Sequence, residues 1–150
     1  MMDTPTSVVF DLGGVLIDWD PRHLYRDLIS DEAEMEKFLE NVVGQAWNRQ
    51  QDAGRSIADA NAELIAKYPE KAELIEAYYG QFDTMMKGPI EGAVSVLEDL
   101  AANKVPVYAL SNWSAETFPL AQARFDFLKL FKGIVISGQE GLRKPDPAIF

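Results

Sequence analysis

Three polar side chains follow or close short apolar runs of this sequence. Asp11 follows VVF in the segment VVFDLGGVLIDWD, Ser111 closes VPVYALS, and Lys144 comes shortly after GIVIS. An ionised carboxylate at the end of a buried strand is costly, and such unfavourable placements are typical of reactive groups. A carboxylate can attack phosphorus or carbon, a hydroxyl can hydrogen-bond an oxyanion, and an ammonium group can neutralise developing charge. These residue types predict a site for an anionic substrate.

The elements that must position these side chains are predicted from the apolar patterns. Consecutive apolar positions, rather than alternating ones, predict strands of a parallel sheet covered by helices, at residues 8–11, 105–111 and 133–137. Helical spacing of apolar residues predicts connecting helices, at residues 90–101 and 116–130. This order predicts an α/β fold with a Rossmann-like, doubly wound parallel sheet.

A parallel sheet would bring the three polar side chains together. Because the carboxyl ends of parallel strands share one edge, Asp11, Ser111 and Lys144 are expected to converge there. Several residues of these segments also have a purely structural interpretation. Ser111 and Asn112 are suited to capping the next helix, and Gly13 and Gly14 to a tight turn. The functional interpretation depends on all of them meeting at one edge.

A long helical insertion interrupts the α/β pattern directly after its first strand. Residues 19–88 show only helical stripes, which predicts a cap over the strand ends. We therefore expect a catalytic core from residues 1–18 and 89–150, with a helical cap from residues 19–88. Arg49, in the cap segment WNRQQDAGRS, is a candidate substrate-binding residue, with solvated surface as its alternative.

Composition limits the partners and cofactors. The formal net charge of −10 opposes binding to nucleic acid or to an anionic membrane. No apolar run approaches membrane-spanning length and the first residues lack the features of a secretory signal, so we expect a cytoplasmic protein with a small-molecule substrate. With no cysteine and one histidine, any metal would be a hard cation held by oxygen atoms.

Three ordered motifs resemble those of the haloacid dehalogenase (HAD) superfamily of hydrolases. They are FDLGGVL, ALSN and GLRKPDP, with a helical cap after the first. The resemblance implies that Asp11 is the nucleophile and that Ser111 and Lys144 hold the transferred group. It also implies Mg²⁺ as the cofactor, with Asp11 and the Gly13 carbonyl as ligands. Asn112 and Gly14, within the same motifs, are candidate substrate-binding residues.

The sequence departs from the family pattern at two places. Most phosphatases of the family carry a second aspartate where this chain has Gly13, and that aspartate donates a proton to the leaving alcohol. Either the substrate has a good leaving group, or another acid substitutes, or the chemistry is not phosphoryl transfer. In addition, the acidic strand end that would complete the magnesium site would lie beyond Phe150.

Three functions remain open, and the wording of the motifs favours the first. It is a Mg²⁺-dependent phosphatase that acts on a small phosphorylated metabolite through an aspartyl-phosphate. The second is a metal-independent 2-haloacid dehalogenase, in which Asp11 attacks carbon and a cap arginine grips the substrate. The third is a non-enzymatic phosphoacceptor domain, which a first-strand aspartate under a helical insertion does not favour.

The position of the predicted strands relative to the end of the sequence leads to an expectation about the sheet. If the strands at residues 105–111 and 133–137 lie on one side of the first strand, its other neighbour must come after Phe150. The catalytic domain is then C-terminally incomplete. An open strand edge of this kind favours self-association. Magnesium binding by Asp11 without further carboxylates is expected to be weak.

Overall fold

The computed structural model describes residues 6–150 as an α/β structure. Its strands are β1 (Val8–Phe10), β2 (Ile17–Trp19), β3 (Met86–Pro89), β4 (Val107–Ser111) and β5 (Gly133–Ile136). Its helices are α1 (Arg22–Leu28), α2 (Glu32–Asn41), α3 (Gln45–Asp52), α4 (Ile57–Lys67), α5 (Ala72–Gly80), α6 (Phe82–Met85), α7 (Glu91–Ala102), α8 (Phe118–Arg124) and α9 (Ser137–Glu140). Short 3₁₀ turns lie at Pro69–Lys71, Asp126–Leu130 and Pro147–Ile149. Residues 1–5, where the predicted core segment begins, lie outside the described residues.

The predicted parallel sheet is confirmed, but the expectation that helices cover both of its faces is not met in the described residues, because Val9, Tyr108 and Val135 are exposed. Its strand order is β1-β4-β5, with Val8 opposite Val107 and Tyr108 opposite Gly133. Val107 and Ala109 point into the core, while Val9 and Tyr108, on the other face, are exposed. Because β1 and β4 run parallel, their carboxyl ends, at Asp11 and Ser111, lie at the same edge of the sheet.

The helical insertion is framed by a two-stranded ribbon that the sequence pattern did not predict. Strands β2 and β3 pair antiparallel, with Ile17 opposite Pro89 and Asp18 opposite Gly88. Strands this short carry too few residues for a recognisable alternation. Helices α1 to α6 lie between the two strands, inside the stretch predicted as a cap. The division of the chain into a core and a cap remains a prediction.

Local sequence signals account for the helix ends. The Asp31 side chain accepts hydrogen bonds from two backbone N–H groups at the start of α2. Ser56 caps the start of α4, because its hydroxyl accepts the N–H of Asp59 at 3.1 Å. The stretch predicted as one helix at residues 116–130 is instead divided. Phe125 adopts an extended conformation there, and both Phe125 and Leu128 are buried.

One hydrophobic core continues from the helices into the sheet. Its largest fully buried side chains include Tyr25, Tyr78, Met35 and Phe118. Trp47 and Tyr79 add aromatic contacts, with ring centroids 5.4 Å apart. Within residues 6–150, no helix combines the length and apolar character needed to cross a bilayer.

Candidate active site

Asp11 lies directly after β1, at the edge where the strands end. Its Oδ1 accepts the N–H of Leu12 at 2.8 Å, and its Oδ2 lies 3.0 Å from Nζ of Lys144. The side chain is 44 % exposed, so the carboxylate is held in place without being sealed from ligand. The sequence placed this group at the end of a buried strand, and the structure directs it into an open cavity.

Lys144 is held by two contacts at its ammonium group and two on its backbone. Nζ donates to the carbonyl of Leu110 at 2.9 Å, in addition to its ion pair with Asp11. The Lys144 N–H donates to Oδ1 of Asn112 at 2.7 Å, and Nδ2 of Asn112 donates to the Lys144 carbonyl at 3.0 Å. Asn112 thus fixes the loop that carries the lysine to the end of β4.

Ser111 is the last residue of β4 and is only 2 % exposed. It lines the same cavity as Asp11 and Asn112. The hydrogen bonds found among residues 6–150 include none from its hydroxyl. That hydroxyl is therefore available to bond a ligand beside the carboxylate.

The turn after Asp11 uses its two glycines differently. Gly14 has φ = 80°, a left-handed conformation that favours glycine, and its N–H donates to the carbonyl of Ile17 at 2.9 Å. Gly13 has no such restriction and lines the cavity, whereas Gly14 is not among the lining residues. A Cβ built on Gly13 meets no atom within 4 Å, so the site has room for a side chain there.

The cavity has a volume of about 160 Å³. Residues from both the sheet edge and the helical insertion line it: Asp11, Gly13, Trp19, Asn48, Asp52, Tyr79, Phe82, Ser111, Asn112, Trp113, Ser114 and Thr117. Lys144 reaches this group through its ion pair with Asp11. The structure does not bring Arg49 to the cavity, because the side chain is exposed and donates to Oε1 of Gln45 at 3.2 Å.

Sequence reasoning missed most of the wall that the helical insertion contributes. Asn48 and Asp52 are four residues apart and share one face of α3, and Arg49 lies on the neighbouring face. The signal was present in WNRQQDAGRS as a polar pair at helical spacing. Only the docking of α3 decides which of its faces meets the cavity.

Hydrogen bonds and aromatic contacts stiffen this wall. The hydroxyl of Tyr79 donates to Oδ1 of Asn48 at 2.7 Å and accepts from Nε2 of Gln51 at 3.0 Å. The rings of Tyr79 and Phe82 are stacked, with centroids 6.2 Å apart. The ring of Trp113 lies 6.1 Å from that of Phe82, and its Nε1 donates to Oγ1 of Thr117 at 3.0 Å. The walls therefore offer fixed aromatic faces beside polar groups.

The pKa of the Asp52 carboxyl differs from that of an ordinary aspartate. Burial raises the pKa of its carboxyl to about 6, and the nearby guanidinium groups of Arg143 and Arg49 oppose that rise. Burial also raises the pKa of the Tyr79 hydroxyl, which stays neutral. Asp52 therefore changes its charge close to neutral pH, unlike an ordinary surface aspartate.

We expect Asp52→Asn to stabilise the protein at pH 8 and to leave its stability unchanged near pH 3. A carboxyl whose pKa is raised by folding takes up protons on folding, so its destabilising effect is absent below the unfolded pKa. The effect grows as the pH rises towards 6. The gain at pH 8 should be on the order of 2 kcal/mol in the free energy of unfolding in urea. An equal change in the free energy of unfolding at pH 8 and near pH 3 would contradict the assigned burial of the Asp52 carboxyl.

The donor set fits a hard cation rather than a soft one. The Asp11 carboxylate and the Gly13 backbone line one cavity, and Mg²⁺ prefers such oxygen ligands together with water and substrate phosphate. Within the described residues, no group of three or more histidine, cysteine, aspartate or glutamate side chains is placed to hold a metal ion.

The parallel sheet with polar side chains at its strand ends is an α/β fold of the Rossmann-like class. A family model described as haloacid dehalogenase-like hydrolase matches residues 6–150, and the chain belongs to that family. The resemblance seen in the three motifs, the fold class and the assignment as a hydrolase are thereby confirmed.

Similar proteins include enzymes of two chemistries. A sesquiterpene phosphatase of Aspergillus oryzae is 26 % identical over 147 residues, which cover 97 % of this chain and 71 % of that protein. A HAD family enzyme of Bacteroides thetaiotaomicron was solved as an aspartate-to-alanine mutant with magnesium and inorganic phosphate. It is 20 % identical, with a TM-score of 0.66, over 95 % of this chain and 73 % of that one.

The second chemistry is dehalogenation. The L-2-haloacid dehalogenase of Xanthobacter autotrophicus, solved with chloropropionic acid covalently bound, has a TM-score of 0.59 and 16 % identity. The match covers 97 % of this chain and 62 % of that one. At such identities, the solved structures show a shared fold.

Proposed function

We propose that the protein is a phosphatase that hydrolyses a small phosphate monoester through an aspartyl-phosphate on Asp11. The observation that carries the proposal is the Asp11 carboxylate at the cavity, 3.0 Å from the Lys144 ammonium and beside Ser111. The similarity to a phosphatase supports this chemistry. The phosphoacceptor alternative is less well supported, since the chain belongs to a hydrolase family.

Each residue has a definite task in this reaction. An oxygen of Asp11 attacks phosphorus, and the bond between phosphorus and the ester oxygen breaks. Lys144 and the Ser111 hydroxyl bind the phosphoryl oxygens and stabilise the charge that develops on them. Water then attacks the aspartyl-phosphate and regenerates the carboxylate. Asn112 positions the lysine through its two hydrogen bonds to the loop backbone.

Magnesium would be held by the Asp11 carboxylate and the Gly13 carbonyl, and when bound it would neutralise charge on the substrate phosphate. Solved structures of a HAD family enzyme with magnesium support magnesium as the cation. Because Asp11 and Asp52 are the carboxylates that line the cavity among the described residues, we expect substrate phosphate to strengthen the binding of the cation.

The walls of the cavity indicate the kind of organic group that the substrate carries. Phe82, Trp19 and Trp113 supply aromatic surface, with centroids of neighbouring rings about 6.1 Å apart. Asn48 and Asp52 supply hydrogen-bonding groups in the same cavity. A compact organic group with an apolar face and polar substituents would match this wall.

Dehalogenase chemistry is the second candidate, because the same aspartate and lysine could serve it and the fold is shared. A haloacid needs a cation for its carboxylate. Among the described residues, no arginine lines the cavity, and Arg49 is bonded to Gln45 on the surface. The geometry therefore favours a phosphate ester.

A substrate screen separates the two functions. Phosphate monoesters and 2-haloacids should each be assayed with Mg²⁺ and with a chelator. We expect release of inorganic phosphate that requires Mg²⁺, and no release of halide. Metal-independent halide release without phosphatase activity would overturn the proposal in favour of the dehalogenase.

A further inference from the structure

Asp52 is the second carboxylate of the cavity, and the steps of phosphoryl transfer assigned so far do not use it. It is the last residue of α3 and lines the same cavity as Asp11 and Ser111. The hydrogen bonds found among residues 6–150 include none to its carboxylate, so its oxygens can bond a ligand. A negative charge facing a nucleophilic carboxylate and an anionic substrate would be repulsive, unless the group carries a proton.

We propose, building on the phosphatase function, that Asp52 is the general acid and base that replaces the acid missing at Gly13. As Asp11 bonds to phosphorus, the electron pair of the breaking P–O bond passes to the ester oxygen, which takes the carboxyl proton of Asp52. The Asp52 carboxylate next removes a proton from water, and the water oxygen attacks phosphorus. The bond from phosphorus to Asp11 breaks, phosphate leaves, and Asp52 again carries its proton.

The charges around Asp52 suit this role. Among the described residues, the guanidinium groups of Arg49 and Arg143 and the phenols of Tyr78 and Tyr79 interact with its charge, and the Asp11 carboxylate lines the same cavity. The arginines lower its pKa and burial raises it, with a balance close to neutral pH. Bound phosphate adds negative charge and raises the pKa further, which favours the protonated acid in the complex.

The loop beside Lys144 places Arg143 near this acid. The C-terminal end of α3 packs against α9, and Ala53 lines a cleft together with Arg143 and Pro145. The segment that carries Lys144 therefore contacts the segment that carries Asp52. The shared cavity lining places the proposed acid with Asp11 and Ser111, although it belongs to the helical insertion.

The main test compares two substrates in the full chain with Asp52→Asn. For an alkyl phosphate, whose leaving group needs a proton, we expect turnover to fall by about 10²- to 10⁴-fold. For an aryl phosphate with an acidic phenol, the first step should survive. A burst of phenol equal to the enzyme concentration should then precede slow turnover, since water activation is impaired. Asp27→Asn, which removes an exposed carboxylate from α1, should match the wild type on both substrates.

The pH profile gives an independent measurement. In the wild type, kcat/KM for the alkyl ester should fall as the pH rises through the pKa of Asp52, and this limb should be lost in Asp52→Asn. Arg143→Gln removes a charge that lowers this pKa, so its limb should move to higher pH. If Asp52→Asn does not fold, the pH profile of Arg143→Gln still tests the proposal: a shift of the limb to higher pH supports it, and an unshifted limb contradicts it.

A rescue experiment uses the space at Gly13. Because a Cβ there meets no atom within 4 Å, Gly13→Asp can supply an acid next to the nucleophile. Gly13→Asp in the Asp52→Asn background should recover alkyl ester turnover, and Gly13→Asn should not.

Different results would contradict the two proposals. Wild-type alkyl ester rates in Asp52→Asn would overturn the role of Asp52 and leave the phosphatase function intact. So would equal losses in the aryl burst and in alkyl turnover, which would indicate a structural role. A wild-type protein that hydrolyses no phosphate ester would overturn both.

Discussion

Asp11→Asn is expected to lower phosphatase turnover by at least about 10³-fold while leaving the protein folded. Asparagine keeps the shape of the side chain and can still accept the N–H of Leu12, but it has no charged oxygen to attack phosphorus. The lost ion pair to Lys144 involves partly exposed groups, so its effect on stability should be below about 1 kcal/mol.

The measurement is steady-state phosphate release, together with acid-quench detection of phosphorylated protein. Wild-type protein should contain phosphorylated enzyme during turnover, and Asp11→Asn should contain none. Asp27→Asn again serves as the control for removing one negative charge. Undiminished turnover in Asp11→Asn would exclude Asp11 as the nucleophile and remove the basis of the proposed function.

The sequence predicted the sheet and the residues at its edge, for a physical reason. Parallel strands are recognisable from consecutive apolar positions, and their carboxyl ends share one side. The contact between Asp11 and Lys144, which are distant in sequence, follows from that topology. The hydrogen bonds that hold the lysine through Asn112 could not be predicted, because they depend on how the loop after β5 folds back.

The helical wall of the cavity was less predictable. Apolar periodicity gives the buried stripe of a helix but does not specify which part of its polar face meets a neighbouring site. On α3, apolar periodicity therefore could not distinguish Arg49, which is on the surface, from Asn48 and Asp52, which line the cavity. The β2 and β3 strands were missed because three or four residues are too few to show a period of two.

Lys144→Met is expected to lower kcat/KM for phosphate esters by about 10²- to 10³-fold. Nζ lies 3.0 Å from Asp11 and 2.9 Å from the Leu110 carbonyl, so it can stabilise charge only at the strand edge. Methionine keeps most of the aliphatic volume and removes the charge. Arginine should restore only part of the rate, since its planar fork does not reproduce the compact ammonium group.

The effect of losing the Lys144 charge must be distinguished from the effect of losing the position of its loop. A substitution at Asn112 makes this distinction possible. Asn112→Ala removes both hydrogen bonds that hold the backbone of Lys144 but leaves the ammonium group in the protein. If the charge on Nζ is what stabilises the transferred phosphoryl group, Asn112→Ala should lower kcat/KM less than Lys144→Met. It should also keep a measurable affinity for inorganic phosphate that Lys144→Met loses. Equal losses in the two variants would show that the lysine acts mainly by holding the loop against β4, because only then would removing the tether be as harmful as removing the charge.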